Sequence, residues 1–192
     1  MSEGLKTYRI HTLFRRNVSA FFVGLGLLYA GTFVVLWTYG SWSQITLAIF
    51  LAPALIWLSV HDLQTFEIPD IGTLIVAITG FVHITIMDQQ AILIHTATAV
   101  GITAFFWLIG DVYYRCADQE GLGIGDAKLF GAGALIVGPW QIPELILLSS
   151  LGGIMCHLLC QVRRQEVNPG IPFGPFIAYT ILTLSFLDPI FL

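Results

Sequence analysis

The sequence predicts an all-α protein: a polytopic membrane bundle of about seven transmembrane helices with a cytoplasmic N-terminus. Three observations lead there. First, the 192 residues are 56% hydrophobic and only 10% charged, where a soluble domain averages about 25% charged residues. Such a chain has too few polar groups to cover a surface facing water. Second, apolar runs long enough to span a bilayer recur along it. Third, every basic residue falls on one side once those runs are counted.

In order, the runs cover roughly 18–38, 44–61, 70–87, 91–111, 127–140, 142–161 and 172–190, against the ~20 residues that cross a bilayer as a helix. Helices are expected because the hydrocarbon offers no water to satisfy a free backbone N–H or C=O. Residues 1–17 form a basic cytoplasmic segment with Lys6, Arg9, Arg15 and Arg16. The apolar stretch after it is long enough to span and lacks a small-x-small cleavage site, so it does not read as a cleaved signal peptide. The fifth run is short and glycine-rich. Its start is expected below the membrane surface or shielded by neighbours. Short connections, with no repeat or low-complexity segment, predict one domain over 1–192.

Charge parity sets the orientation. With the N-terminus inside, Arg115 and Lys128 flank an inner loop, and Arg163 and Arg164 follow the sixth run, inside again. The outer connections near Gly40–Ser43, Asp88–Gln90 and Pro139–Gln141 hold no Lys or Arg, as the positive-inside rule expects. The net charge of −4 says little about partners.

Two acidic segments carry the chemistry. One is His61-Asp62-Leu63-Gln64-Thr65-Phe66-Glu67-Ile68-Pro69-Asp70; the other is Gly121-Leu122-Gly123-Ile124-Gly125-Asp126-Ala127-Lys128-Leu129. Carboxylates at a membrane edge are costly and point to function. Parity puts Asp62, at the end of the second run, and Asp126, at the start of the fifth, on the same cytoplasmic face. Asp126 is expected to cap its helix, where the N-terminus and Lys128 favour the ionised form. Asp62 lies near a helix C-terminus, which disfavours a negative charge. An asymmetric pair is expected, with Asp126 ionised and Asp62 protonated, titrating as one coupled unit. Such a pair activates water and protonates a carbonyl or leaving group without a covalent intermediate. The glycines do not read as a phosphate loop: no strand precedes them, and an aspartate at the helix start repels phosphate.

The other polar residues read structurally. Asp70 is expected to cap the third helix after Pro69, and Asp111 to end the fourth. Glu67, Asp118 and Glu120 read as solvated loop charges. His61, His83, His95 and His157 show no ligand spacing, so no metal is expected. Cys116, Cys156 and Cys160 form no paired framework and read as small apolar residues. No serine–histidine or cysteine–histidine motif is present. Ile171-Pro172-Phe173-Gly174-Pro175-Phe176 opens the last run as a stiff helix entry and would shape a site beside the aspartates.

Three of these segments together resemble the bacterial type IV prepilin peptidases, membrane aspartic proteases of the GxGD type. They are Asp62 with Ile68-Pro69-Asp70, Gly123-Ile124-Gly125-Asp126-Ala127-Lys128-Leu129, and Pro172-Phe173-Gly174-Pro175. The resemblance runs from about residue 45 to the C-terminus. It implies an endopeptidase of the bacterial inner membrane that removes the leader of prepilins or pseudopilins at the cytoplasmic face, typically after a glycine. Asp62 and Asp126 fall on the catalytic aspartates, and Gly123 and Gly125 on the motif glycines. Lys128, Pro172, Phe173, Gly174 and Pro175 would bind substrate or shape the site.

The implied partners are the prepilin or pseudopilin, membrane lipid, and pilus or secretion assembly proteins, with no nucleic acid. Larger members carry a zinc-binding segment with two cysteine pairs, and many N-methylate the trimmed pilin with S-adenosylmethionine. This sequence lacks those pairs and resembles the short form. No zinc and no cofactor for proteolysis are expected, and S-adenosylmethionine only if the chain also methylates. The competing readings are a preflagellin or presenilin-like GxGD protease, a small proton-coupled transporter using Asp62 and Asp126 as a relay, and a catalytically inactive assembly protein. A relay would place carboxylates at several depths, whereas this pair lies at one face.

Overall fold

The computed structural model describes residues 23–117, 122–162 and 172–187. Lys6, Arg9, Arg15, Arg16, Asp118, Glu120, Gly121, Arg163, Arg164 and Ile171 lie outside them, as does the 1–17 segment. The described residues are α-helical with short 3-10 turns, and no strand occurs among them. The predicted all-α class holds. The chain divides into two compact units, one ending at Gly40 and one starting at Ser41.

In the first unit the described helix is α1, Val23–Tyr39, short and apolar. The second holds α2 (Trp42–Thr65), α3 (Asp70–Met87), α4 (Ile92–Ala117), α5 (Ile124–Val137), α6 (Ile142–Val162) and α7 (Gly174–Leu184). Among the described residues, four helical stretches are long and apolar enough to cross a membrane: Trp42–Thr65, Asp70–Met87, Gln89–Ala117 and Pro139–Leu158.

Local signals explain most of the boundaries. Ser41 and Gln44 form a capping box that starts α2: the Gln44 N–H donates to the Ser41 hydroxyl, and the Ser41 N–H to Gln44 Oε1. The helix then runs four residues past its expected end, so Asp62 sits in its last turn. It stops at Phe66, a left-handed residue (φ 58°) whose N–H returns to the Asp62 carbonyl. Asp88 ends α3 and accepts the N–H groups of Gln90 and Ala91. The fourth helix passes its expected end at Asp111, because Asp111 pairs with Arg115 one turn on, at 2.8 Å, instead of stopping the helix.

Within the second unit the two shorter helices, α5 and α7, lie inside and the longer ones around them. α5 packs against α3, α4 and α7; α7 packs against α2, α5 and α6. The shielding expected for the fifth run is therefore observed. Lipid tails are as apolar as leucine, so helices in a membrane associate through close packing of small residues. Ala127, Gly131, Ala132, Gly133 and Ala134 of α5 are all buried. At Gly131 the contact is closest: a Cβ there would run into the Thr103 hydroxyl and stand 3.0 Å from the Ala99 carbonyl oxygen of α4.

Polar contacts define the two ends of this unit. At one end Gln44 and Gln141 donate side-chain amides to the carbonyls of Phe186 and Leu187, just past α7. Trp42 and Trp140 are exposed there. From Trp42 to Asp62, α2 rises about 30 Å, the thickness of a hydrocarbon core. At the other end α2 finishes, α5 and α7 begin, and Lys128 is found.

Candidate active site

Three helix ends meet around Asp62. The side chain is 4% exposed, which burial of a carboxylate permits only with partners. The backbone N–H of Gly174, first residue of α7, donates to Asp62 Oδ2 at 2.9 Å. The first N–H groups of a helix have no internal acceptor, so α7 directs an orphan donor at the carboxylate. An N–H can only donate. Oδ2 is therefore an acceptor oxygen, which leaves Oδ1 free to carry a proton.

Gly174 is glycine for a steric reason. A Cβ there would stand 2.8 Å from Asp62 Oδ2 and 3.1 Å from Ile68 Cδ1. The neighbouring prolines serve the same entry. Pro175 is buried inside the first turn, and Phe173 is the N-cap. The Phe173 ring lies 6.1 Å from Phe130 of α5, which stacks on Phe106 of α4 at 4.6 Å. This aromatic row fixes the start of α7. Pro172 is half-buried just before it.

Asp126 is half-buried in the first turn of α5 and within electrostatic reach of Asp62. It does not cap the helix as expected. The N-cap is Gly123, and Asp126, three residues on, turns back towards the Gly123 backbone. This is the acidic half of a capping box without the hydroxyl half. Gly125 gives room to the α2–α3 connection, since a Cβ there would stand 2.9 Å from Ile68 Cβ.

Lys128 and Asp70 depart from expectation together. Asp70 is the first helical residue of α3 and makes no capping bond; Pro69 holds the N-cap position. The Asp70 carboxylate instead accepts from Lys128 Nζ at 2.6 Å, so the lysine bridges α5 to α3. His61, beside Asp62, contacts Thr65 Oγ1 and the Glu67 carbonyl, both at 2.9 Å. His95 contacts the Leu135 carbonyl at 2.8 Å, towards the opposite end of α5. Among the described residues no group of His, Cys, Asp or Glu has the arrangement of a metal site. Of the expected site residues, the structure gathers Asp62, Asp126, Gly123, Gly125, Gly174 and Phe173 around one point, with Lys128 at its edge. In the sequence Ile68 figured only within a segment of the family resemblance, yet its side chain fills the space that a Cβ would need on Gly125 and Gly174.

The profile of the type IV leader peptidase family matches residues 49–158. A prepilin leader peptidase/N-methyltransferase of Escherichia coli K12 is 33% identical over 135 residues, covering 68% of this chain and 58% of its own. A type 4 prepilin-like proteins leader peptide-processing enzyme of another Escherichia coli strain is 30% identical over 163 residues, covering 82% and 56%. The Pseudomonas aeruginosa prepilin leader peptidase/N-methyltransferase is 32% identical over 151 residues, covering 75% and 50%. The chain thus spans about half the length of the curated relatives it matches. No solved structure matches it. Its apolar helices make it a membrane protein, and its sequence places it with the peptidases rather than with transporters: the chain belongs to the type IV leader peptidase family.

Proposed function

We propose that the chain is an aspartic endopeptidase that cleaves the leader of a type IV prepilin or pseudopilin, after a glycine, at the cytoplasmic face of the bacterial inner membrane. The observation that carries this reading is the buried Asp62, held by the Gly174 N–H, with a second carboxylate, Asp126, within electrostatic reach. The names of the relatives supply the substrate class.

Asp126, the more exposed of the two carboxylates, takes a proton from the attacking water. Asp62, protonated on Oδ1, gives its proton to the scissile carbonyl oxygen as the water oxygen bonds to carbon. The tetrahedral intermediate collapses as Asp126 protonates the leaving nitrogen, the C–N bond breaks, and Asp62 takes back its proton. Each carboxyl group ends as it began, with no covalent intermediate and no cofactor.

The cytoplasmic orientation rests on charge placement. Arg115 and Lys128 lie at the aspartate end, as the positive-inside rule requires of the cytoplasmic face. N-methylation of the trimmed pilin with S-adenosylmethionine is a separate activity and is read from product mass. The peptidase reading is tested by co-expression with a candidate prepilin. Asp62→Asn and Asp126→Asn are each expected to abolish leader removal, and processing retained in either variant refutes the assigned pair.

A further inference from the structure

The connection between α2 and α3 is tied at both ends. Near α2, the Phe66 N–H donates to the Asp62 carbonyl at 2.8 Å. His61 Nδ1 lies 2.9 Å from the Glu67 carbonyl oxygen; a carbonyl only accepts, so Nδ1 carries the hydrogen. Near α3, Lys128 grips Asp70. That ion pair is too exposed to add much stability; what it fixes is the direction of the connection.

Ile68 sits between these ties, half-buried. Its Cβ is 2.9 Å from the place a Cβ on Gly125 would occupy, and its Cδ1 is 3.1 Å from the same point on Gly174. Gly125 is bonded to Asp126, and the Gly174 N–H holds Asp62. One aliphatic side chain therefore bears on the supports of both carboxylates.

We propose that Ile68 is a positioning residue: by wedging between Gly125 and Gly174 it sets the separation of Asp62 and Asp126. The inference rests on the reading of those aspartates as one acid pair. The gap between the two titration steps of such a pair is governed by its separation. Among the described residues, the other charges at this end of the unit are His61 on α2, Glu67 in the connection, Asp70 at the start of α3, Lys128 on α5, and Asp111 with Arg115 on α4; α7 carries none. Replacing Ile68 leaves all of these in place.

The test uses the full chain in lipid nanodiscs with carbon-13-labelled aspartate. The Asp62 and Asp126 signals are assigned by substitution and titrated in native protein, Ile68→Ala and Ile68→Val. In Ile68→Ala the gap between the two steps is expected to change by more than about 0.5 unit. Ile68→Val removes only Cδ1 and is expected to give a smaller change of the same sign. It also carries the comparison if the alanine variant does not fold. In parallel, kcat for prepilin cleavage is expected to fall about tenfold or more in Ile68→Ala, with KM nearly unchanged. A native titration gap in the folded variants overturns the proposal, whatever their cleavage rates. Failure of the native chain to cleave any prepilin would instead sink the peptidase reading, and the titration arm would still decide the spacer.

Discussion

Adding one methyl group at Gly174 probes the bond between α7 and Asp62. In Gly174→Ala the new Cβ stands 2.8 Å from Asp62 Oδ2, 3.1 Å from Asp62 Cγ and 3.1 Å from Ile68 Cδ1. Asp62 is 4% exposed, so its carboxylate has no open space to swing into. Forcing a methyl into a packed site costs about 1–3 kcal/mol. The direct relief is to push Asp62 off the Gly174 N–H; once Asp62 has given up its proton, that is a hydrogen bond to a charged group, about 1.5–3 kcal/mol. If roughly 2–3 kcal/mol of that appears in the transition state, kcat falls about 30–150-fold. The assay is a cleavage time course on purified prepilin, paired with thermal unfolding in the same detergent. KM is expected to stay within about twofold, because Asp62 acts on the scissile bond rather than on binding. Gly101→Ala on α4 is the control: nothing lies within 4 Å of its new Cβ, and native activity is expected. A folded Gly174→Ala enzyme with a native rate would refute the claim that the Gly174 contact positions Asp62.

Two further outcomes bear on topology and packing. Cys116, exposed near the end of α4, is expected to react with a membrane-impermeant maleimide in inverted inner-membrane vesicles but not in intact cells, with the signal lost in Cys116→Ser; labelling from outside would reverse the orientation. Gly131→Val places branched carbon against the Thr103 hydroxyl and the Ala99 carbonyl and is expected to lower stability by about 3 kcal/mol or more, read as a fall in unfolding temperature; an unchanged temperature would contradict the close contact of α4 and α5.

The readable parts of this protein were those set by local pattern. Apolar runs foretold helices near their observed positions, and the two acidic segments marked where three helix ends converge. What escaped the sequence depends on contacts made at long range. The Gly174 N–H and the Asp62 carboxylate are 112 residues apart, and no spacing rule links a helix entry to a carboxylate so distant. Lys128 was expected to serve Asp126, two residues away in sequence, but the fold gives it Asp70 on another helix. Asp126 looked like a cap because an aspartate followed by an apolar run usually is one. The helix begins earlier, at Ile124, because the chain before it is glycine and the carboxylate can fold back over it.

The amides of Gln44 and Gln141 have a consequence for the cell rather than for the reaction. Two carboxylates at one edge of a bilayer call for a dry interior behind them. α7 covers only 11 residues, about 16 Å of helix, so its far end stops well short of a full crossing. There the two glutamines take up the carbonyls of Phe186 and Leu187, groups that would otherwise draw water inwards. Above the aspartates, the interior is closed by Ile177, Ile181 and Leu184, all fully buried. The side chains that end a short helix thus double as insulation between the aspartates and the opposite face of the bundle.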